Sequence, residues 1–509
     1  MDGITKIYSN GFVANRDISF SVAEGEIHAL VGENGAGKTT LMKVLFGMEA
    51  PQEGAIYIEG RKAHISSQLD AIDKGIGMVH QHFMLLPSLS VAENVVLGIE
   101  PLKRGLFDYG RAVQMAQQLA DRYDFSLDAK SKVEDLSVGL MQKVEILKAL
   151  IKGTKVLILD EPTAVLTPQE TEELFLQLFR LRDAGHAIIF ISHKLEEVMR
   201  LCDKVTVLRR GRCHGTFGIS ELDEARISRL MVGRDVVLKM DKAPPERGGP
   251  VLEVERLVHA NAAGKNAVDS LSMTVRAGEV VGIAGVEGNG QAELSDAISG
   301  MKPYSGGSVR INGSEVAGKS IREVRGLGLA YIHEDRMSFG CAPQMSVRDN
   351  IVADRYRNRG CRKGPFIDGR RLNGIADRCI EDFEIACDSR SQPVRMLSGG
   401  NIQKVVIARE FTSGGNFIMA SQPTRGIDVG TTEMIRKKLI QKSREENVAV
   451  LLISADLNEV LEVSDRLLVM RKGKIVAAFP EAGKVPEDEL GEYMLGLRAM
   501  EAGEMEGLL

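Results

Sequence analysis

The stretch Gly32-Glu33-Asn34-Gly35-Ala36-Gly37-Lys38-Thr39-Thr40 has the form G-x-x-x-x-G-K-[ST] and lies between an apolar run, Ile27 to Val31, and the helix-forming LMKVLFG. Its glycines let backbone N–H groups wrap phosphates, and a helix N-terminus favours their charge. Lys38 reaches the terminal phosphates, and the Thr39 hydroxyl can ligate Mg²⁺. A second apolar run, Lys155 to Leu159, ends in Asp160-Glu161. There Asp160 would hold the magnesium shell and Glu161 would polarise an attacking water, an acidic helix cap being the plainer use of such a pair. His193 closes a third run, IIFISHK, either as a γ-phosphate contact or as a satisfied strand-end histidine, and Gln81 in MVHQHF has a similar pair of readings. Ser137, in Leu136-Ser137-Val138-Gly139, precedes Glu161 by 24 residues and opens a helical stretch, MQKVEILKAL. Taken together these residues point to hydrolysis of a nucleoside triphosphate.

The elements that position them occur twice. AEGEIHALVGENGAGKTTL (23 to 41) and AGEVVGIAGVEGNGQAEL (277 to 294) share one template at an offset of 253, which also carries Gln81 onto Glu334. LSVG and LSGG, then LILDEPT and IMASQPT, repeat at 261, so the spacing predicts one eight-residue insertion around RYRNRGCRKGPFIDGRR. Each copy reads as short β-branched strands ending at Gly-rich turns and followed by helices, an α/β lobe with a helical insert such as RAVQMAQQLADRYD. VVLKMDKAPPERGGP interrupts the pattern. The expected organisation is therefore domain 1 over 1–238, a linker over 239–249, domain 2 over 250–496 and a tail over 497–509. The first copy starts late relative to PVLEVERL of the second.

The second copy has lost chemistry. In its loop, Gly285 to Gly290 remain, but Gln291 replaces Lys38 and Ala292 replaces Thr39. Ser421 and Gln422 replace Asp160 and Glu161, Glu334 replaces Gln81, and Ala455 replaces His193. It nonetheless keeps Leu397-Ser398-Gly399-Gly400-Asn401, a fuller motif than Ser137-Val138-Gly139-Leu140.

The ordered set of phosphate loop, Gln81 loop, LSxG signature, Asp160-Glu161 and His193 resembles the ATP-binding cassette (ABC) family, twice over. The resemblance implies two tandem P-loop NTPase domains, each a RecA-like α/β core with an antiparallel β subdomain and a helical subdomain. It implies ATP and Mg²⁺ as ligands, Tyr8 stacked on adenine, Gln81 in the catalytic set and metal shell, and a head-to-tail sandwich in which each ATP lies between one loop and the opposite signature. The loop 32–40 would then face Ser398, Gly399, Gly400 and Asn401 in a hydrolysing site. The loop 285–292 would face Ser137 and Gly139 in a degenerate one. The tandem layout, GNGQ, QPTRGID and HQHFMLLPSLSVAENV further resemble ATP-binding subunits of bacterial uptake systems for simple sugars and nucleosides. That implies two membrane permease subunits, an extracytoplasmic substrate-binding protein, and a peripheral place on the cytoplasmic face of the inner membrane. A tandem-cassette ATPase acting on ribosomes is the rival; the short, charge-balanced linker and the dismantled second site favour transport.

Composition agrees with these expectations. Sixty-five basic and seventy acidic residues, a net charge of -5, argue against a general nucleic-acid binder. Six Cys without C-x-x-C spacing argue against a disulfide framework or structural zinc and suggest the cytosol. No apolar run approaches a membrane span, and MDGITKIYSNG lacks an export pattern. His80 and His82 form H-x-H without a third ligand. YMLGLRAMEAGEMEGLL is expected to fray, a partner-binding amphipathic segment being the alternative, and RYRNRGCRKG to form a solvated face, contact with anionic lipid head groups being the alternative.

Overall fold

The computed structural model describes residues 1–8, 11–33, 35–80, 83–163, 166–192, 194–233, 242–260, 264–286, 288–356, 359–364, 366–505 and 507–509. The chain divides into two compact units, Met1–Val236 and Val237–Leu509.

Unit 1 is built on a six-stranded sheet in the order Arg212–Gly218, Lys204–Arg209, Ile27–Gly32, Ala187–Ile191, Val156–Asp160 and Ile76–Val79, parallel except at the Arg212–Gly218 edge. Its inner strands, IHALVG, VLILD and AIIFI, are almost wholly buried. Helices cover both faces of a parallel sheet, so its strands read as continuous apolar runs. A four-stranded antiparallel sheet, Val13–Ile18, Asp2–Ile7, Glu53–Ile58 and Arg61–Ala63, packs beside it. The helical subdomain contains Val91–Val95, Tyr109–Arg122 and Val138–Leu150.

Unit 2 repeats this plan with Leu329–Ile332, Phe417–Ser421, Ala449–Ile453, Val280–Ala284, Arg466–Arg471 and Lys474–Phe479 in the main sheet. Its antiparallel sheet is Asn266–Arg276, Pro250–Ala260, Gly306–Ile311 and Ser314–Glu315. The expected fold class is therefore present in both units. Strand Pro250–Ala260 is longer than Asp2–Ile7, and its Leu252 packs buried between Ile311 and Val275. At the corresponding place in unit 1, beside Val22 and Ile58, there is a cavity of about 580 Å³ that also touches Met1, Phe20, Lys155 and His186.

Three expectations need correction. The slip between copies is not a single insertion. The helix caps Ser90 and Ser346 are 256 positions apart, the helix starts Tyr109 and Gly369 are 260 apart, and the caps Ser137 and Ser398 are 261 apart. Extra residues are thus spread over the turn before the first of these helices, the hairpin that follows it and the approach to the signature.

The tail does not fray. Met505 is buried, Met500, Leu508 and Leu509 pack on the unit 2 core, and Arg466 donates to Leu508 O. Apolar side chains spaced along the tail outweigh its terminal position. The basic stretch is not wholly solvated either. Arg355 is buried and donates to Arg409 O (3.4 Å) and to the Thr412 hydroxyl, and Cys361 lies in the core.

Candidate functional site

In unit 1 the strand Ile27–Gly32 delivers the chain into the phosphate loop, and the helix Lys38–Leu45 receives it. The junction depends on Gly37, whose φ of 100° is left-handed and whose Cβ position would collide with Ala14 O and the Asn15 amide. Asn15, fully buried, donates to Gly37 O at 3.0 Å and pins the turn to the antiparallel sheet. Lys38 is buried, its ammonium donating to Gly32 O (2.5 Å) and Glu33 O (3.1 Å). The lysine thus threads back over its own loop. Tyr8 lies beside the same helix, its hydroxyl 3.4 Å from Thr40 Oγ1, with Lys6 Nζ 5.4 Å from its ring centre.

Strand Val156–Asp160 places Asp160 against this loop, where its carboxylate accepts a hydrogen bond from the Thr39 hydroxyl. Burial, and then the negative charge of Glu161, push Asp160 up to about 6, against the opposing pull of Lys38, Thr39 and Lys43. Two adjacent oxygen donors, one a buried carboxylate that a cation would stabilise in its ionised form, fit a hard divalent ion such as magnesium. Among the described residues no three His, Cys, Asp or Glu side chains converge as a metal cluster. The fit therefore rests on Thr39 and Asp160.

Glu161 has a left-handed φ of 50°, uncommon for a glutamate, and its N–H is tied to Ile191 O at 2.9 Å. Beyond it, the buried Thr163 and Ser192 hydroxyls both donate to Glu197 Oε2, at 2.6 and 3.2 Å. Lys194 Nζ lies 3.1 Å from Glu197 Oε1. This carboxylate was silent in the sequence, where it is one acid of a helical LEEV. Asn34, Gln81 and His193 lie outside the described residues, as does His82.

The unit 2 loop keeps the backbone plan with different side chains. Gly290, φ 108°, precedes the helix Gln291–Ser299. Gln291 Nε2 donates to Val286 O at 3.2 Å, much as Lys38 reaches Glu33 O, but with a neutral amide. Gly285 sits against Gln291 and Met470 O, and Ala292 offers no hydroxyl. Ser421 is buried at its strand end; Gln422 has φ 49° and donates from its N–H to Ile453 O at 2.7 Å. The Gln422 side-chain oxygen accepts Ala455 N–H at 3.2 Å. Glu334 follows the strand Leu329–Ile332. Of the metal- and water-handling groups, none survives at these positions.

Each signature caps a helix. Ser137 begins Val138–Leu150 and accepts Leu140 N–H at 3.3 Å. Ser398 begins Gly399–Phe411 and accepts Asn401 N–H and Nδ2–H at 3.5 and 2.9 Å. Gly139 and Gly400 are buried, whereas Ser137 and Ser398 are exposed.

A family model described as ABC transporter matches residues 15–164 and again 268–425. The chain belongs to the ABC transporter family. ABC ATP-binding domains hydrolyse ATP, and this chain is an ATPase with two of them. It is 41% identical over 497 residues, 98% of this chain and 97% of the relative, to the guanosine import ATP-binding protein NupO of Bacillus subtilis. It is 42% identical to the glucose import ATP-binding protein TsgD13 of Haloferax volcanii, covering 94% of this chain and 92% of that one. Among solved structures, RNase-L Inhibitor superposes with a TM-score of 0.64 over 99% of this chain and 98% of that chain, at 18% identity, a likeness of fold alone. Among the described residues of this ABC protein no helix is long and apolar enough to cross a membrane.

Proposed function

We propose that the chain is the ATPase subunit of an ABC importer for nucleosides or simple sugars, with one hydrolysing site and one degenerate site. The observation that carries this reading is likeness along nearly the whole chain, at about 40% identity, to ATP-binding proteins of guanosine and glucose import. The hydrolysing site would comprise the loop 32–40, Tyr8, Asp160, Glu161, His193 and Gln81, completed by Ser398 to Asn401. The loop 285–292, Ser421, Gln422, Glu334 and Ala455, with Ser137 and Gly139, would form the degenerate one.

In this mechanism the loop N–H groups cradle the phosphates, and Lys38 exchanges its two carbonyl partners for the terminal phosphate oxygens. Thr39 and Asp160, with Gln81, would hold magnesium, which would supply positive charge to offset that of the bound phosphates. Glu161 accepts a proton from the attacking water, and His193 contacts the γ-phosphate. Ser398 and the helix N-terminus behind it stabilise the terminal phosphate. Closure on ATP and opening after hydrolysis would drive two permease subunits at the cytoplasmic face of the membrane, fed by an extracytoplasmic binding protein.

The test is a gentle-detergent pull-down of the full chain from its native cells. Recovery of two multi-span permeases and a binding protein is expected, and mass spectrometry of the ligand on that protein names the solute. Ribosomes recovered without permeases would overturn the importer reading.

A further inference from the structure

The two signature helices begin beside different charged groups: a carboxylate bonded to the signature itself in unit 1, and a carboxylate together with a guanidinium in unit 2. In unit 1, Glu170 Oε1 accepts Gly139 N–H at 3.2 Å and the Ser137 hydroxyl at 3.4 Å. Its Oε2 accepts the N–H and hydroxyl of Thr167, at 3.1 and 3.2 Å, in the capping box of helix Pro168–Asp183. Four donors therefore fix one carboxylate at the N-terminus of Val138–Leu150, where free N–H groups and the helix dipole draw an anion. The fit is close: a Cβ on Gly139 would lie 2.5 Å from Oε1.

In unit 2 the residue 261 positions beyond Glu170 is Thr431. The nearby acid is Asp428, whose Oδ2 would lie 3.0 Å from a Cβ on Gly400 but whose two oxygens take the Thr431 N–H and hydroxyl, at 2.7 and 2.9 Å, rather than the donors of the signature. Beside Gly399 stands a cation. The Arg336 guanidinium donates to Arg425 O at 2.8 Å and Gly426 O at 3.3 Å, and its Nη2 would lie 2.9 Å from a Cβ on Gly399.

We propose that Glu170 is a specificity determinant that fills the phosphate position of the unit 1 signature, while Arg336 draws the terminal phosphate of ATP to the unit 2 signature. Side chains outside both signature motifs thereby select which of them takes nucleotide. The proposal rests on the composite-site reading above and deepens it. A phosphate brought to Ser137 would meet a like charge already bonded to the same donors. At about 4 Å in a partly exposed setting, that lowers affinity by roughly 100-fold or more.

Local charge can be read directly from thiols. In a background lacking the six native cysteines, Ser137→Cys is expected to react at least about 10-fold faster with a cationic methanethiosulfonate than with an anionic one of similar size. Adding Glu170→Gln should collapse that preference. Ser398→Cys should prefer the anionic reagent, and Arg336→Gln should remove that preference. Equal rates for both reagents at Ser137→Cys, unchanged by Glu170→Gln, would overturn the proposal.

A second experiment reads function. Asp428→Thr with Thr431→Glu transplants the unit 1 acid into unit 2, and Asp428→Thr with Thr431→Gln is its neutral control. ATP turnover should fall roughly 30-fold or more in the acidic pair relative to the neutral pair. Equal turnover refutes the role of the charge. Ser398→Arg separates the two levels of the argument. If that variant turns over fully, the composite site itself is misassigned. If it is dead while the two transplants are equal, only the present proposal fails.

Discussion

Removal of the Glu197 carboxylate tests how the catalytic acid is held. Glu197 joins Thr163, two residues after Glu161, to Ser192, the residue before His193, through bonds of 2.6 and 3.2 Å. Glu197→Ala leaves two buried hydroxyls without their acceptor, each costing about 1–3 kcal/mol. Relief of a desolvated carboxylate offsets part of this, so a net loss of about 2–4 kcal/mol in unit 1 stability is expected by urea unfolding. The rate should suffer more selectively. Glu161 is held in a left-handed conformation that costs about 1–3 kcal/mol and persists only while its neighbours enforce it. Release of Thr163 lets that turn relax, and a displacement of about 1 Å at the base costs roughly 100-fold. Phosphate-release assays should therefore give a kcat about 100-fold lower with the KM for ATP nearly unchanged, because the loop 32–40 is untouched. Glu197→Gln, whose amide oxygen can still accept a hydroxyl, should recover much of the rate, and Thr163→Val should fall between. A Glu197→Ala enzyme within about threefold of normal kcat, and no less stable, refutes the reasoning.

Ser398→Arg should abolish turnover although it lies in the unit without catalytic acids, while Ser137→Arg should be much milder; equal losses in an ATPase assay would contradict the asymmetric site. Glu161→Gln should bind ATP and hold it, seen as retained nucleotide after gel filtration, and full turnover by that variant would mean the base is misassigned. Burial lifts Glu459 to about 7 from its ordinary 4.5, against the opposing pull of the Arg436 guanidinium and the Ser454 and Thr424 hydroxyls. Between those values the native state binds more protons than the unfolded one, so the unfolding free energy falls as pH rises through the window. Glu459→Gln, which mimics the protonated form, should flatten that slope between pH 5 and pH 8 on the order of the affected proton's worth. Identical slopes for the two proteins would rule out Glu459 as the titrating group.

The phosphate loop and the acid pair were legible because their chemistry is local. A strand, a glycine turn and a helix occur in one uninterrupted stretch, and Lys38, Thr39 and their strand lie within a dozen residues. The Asp160 contact to Thr39 is a finding of the structure: the sequence offered each only as a separate magnesium ligand. Glu170, Arg336 and Glu197 were not legible. Glu170 shows in sequence only as the fourth residue of T-x-x-E, a helix cap, and half of its bonds do go to that cap. The other half reach back 31 and 33 positions to Gly139 and Ser137, which no periodicity encodes. Arg336 reaches Gly399 from a turn 63 positions earlier. The spread of the insertion is hidden for a related reason: register is fixed by helix caps such as Ser90 and Ser346, which lie outside the motifs that carry the phosphate chemistry. The packing of the tail is not legible either, because apolar spacing at a chain end says nothing about whether a core lies within reach.

The two units also serve as controls for each other. Gln422 has the same left-handed φ as Glu161, 49° against 50°, and the same N–H tie to the neighbouring strand. The strained turn is therefore a property of the fold rather than an adaptation for the base, since it persists where the base is absent. The loop junction behaves likewise, with Gly37 and Gly290 at φ 100° and 108°. What separates the units is side-chain chemistry on a common backbone, which makes the loss look repairable. Gln291→Lys, Ala292→Thr, Glu334→Gln, Ser421→Asp, Gln422→Glu and Ala455→His would rebuild the loop side of the degenerate site. Under the head-to-tail arrangement, however, the rebuilt loop would still face a signature whose donors already hold Glu170. A second turnover should thus require Glu170→Thr in addition to the six repairs, and neither change alone should supply it.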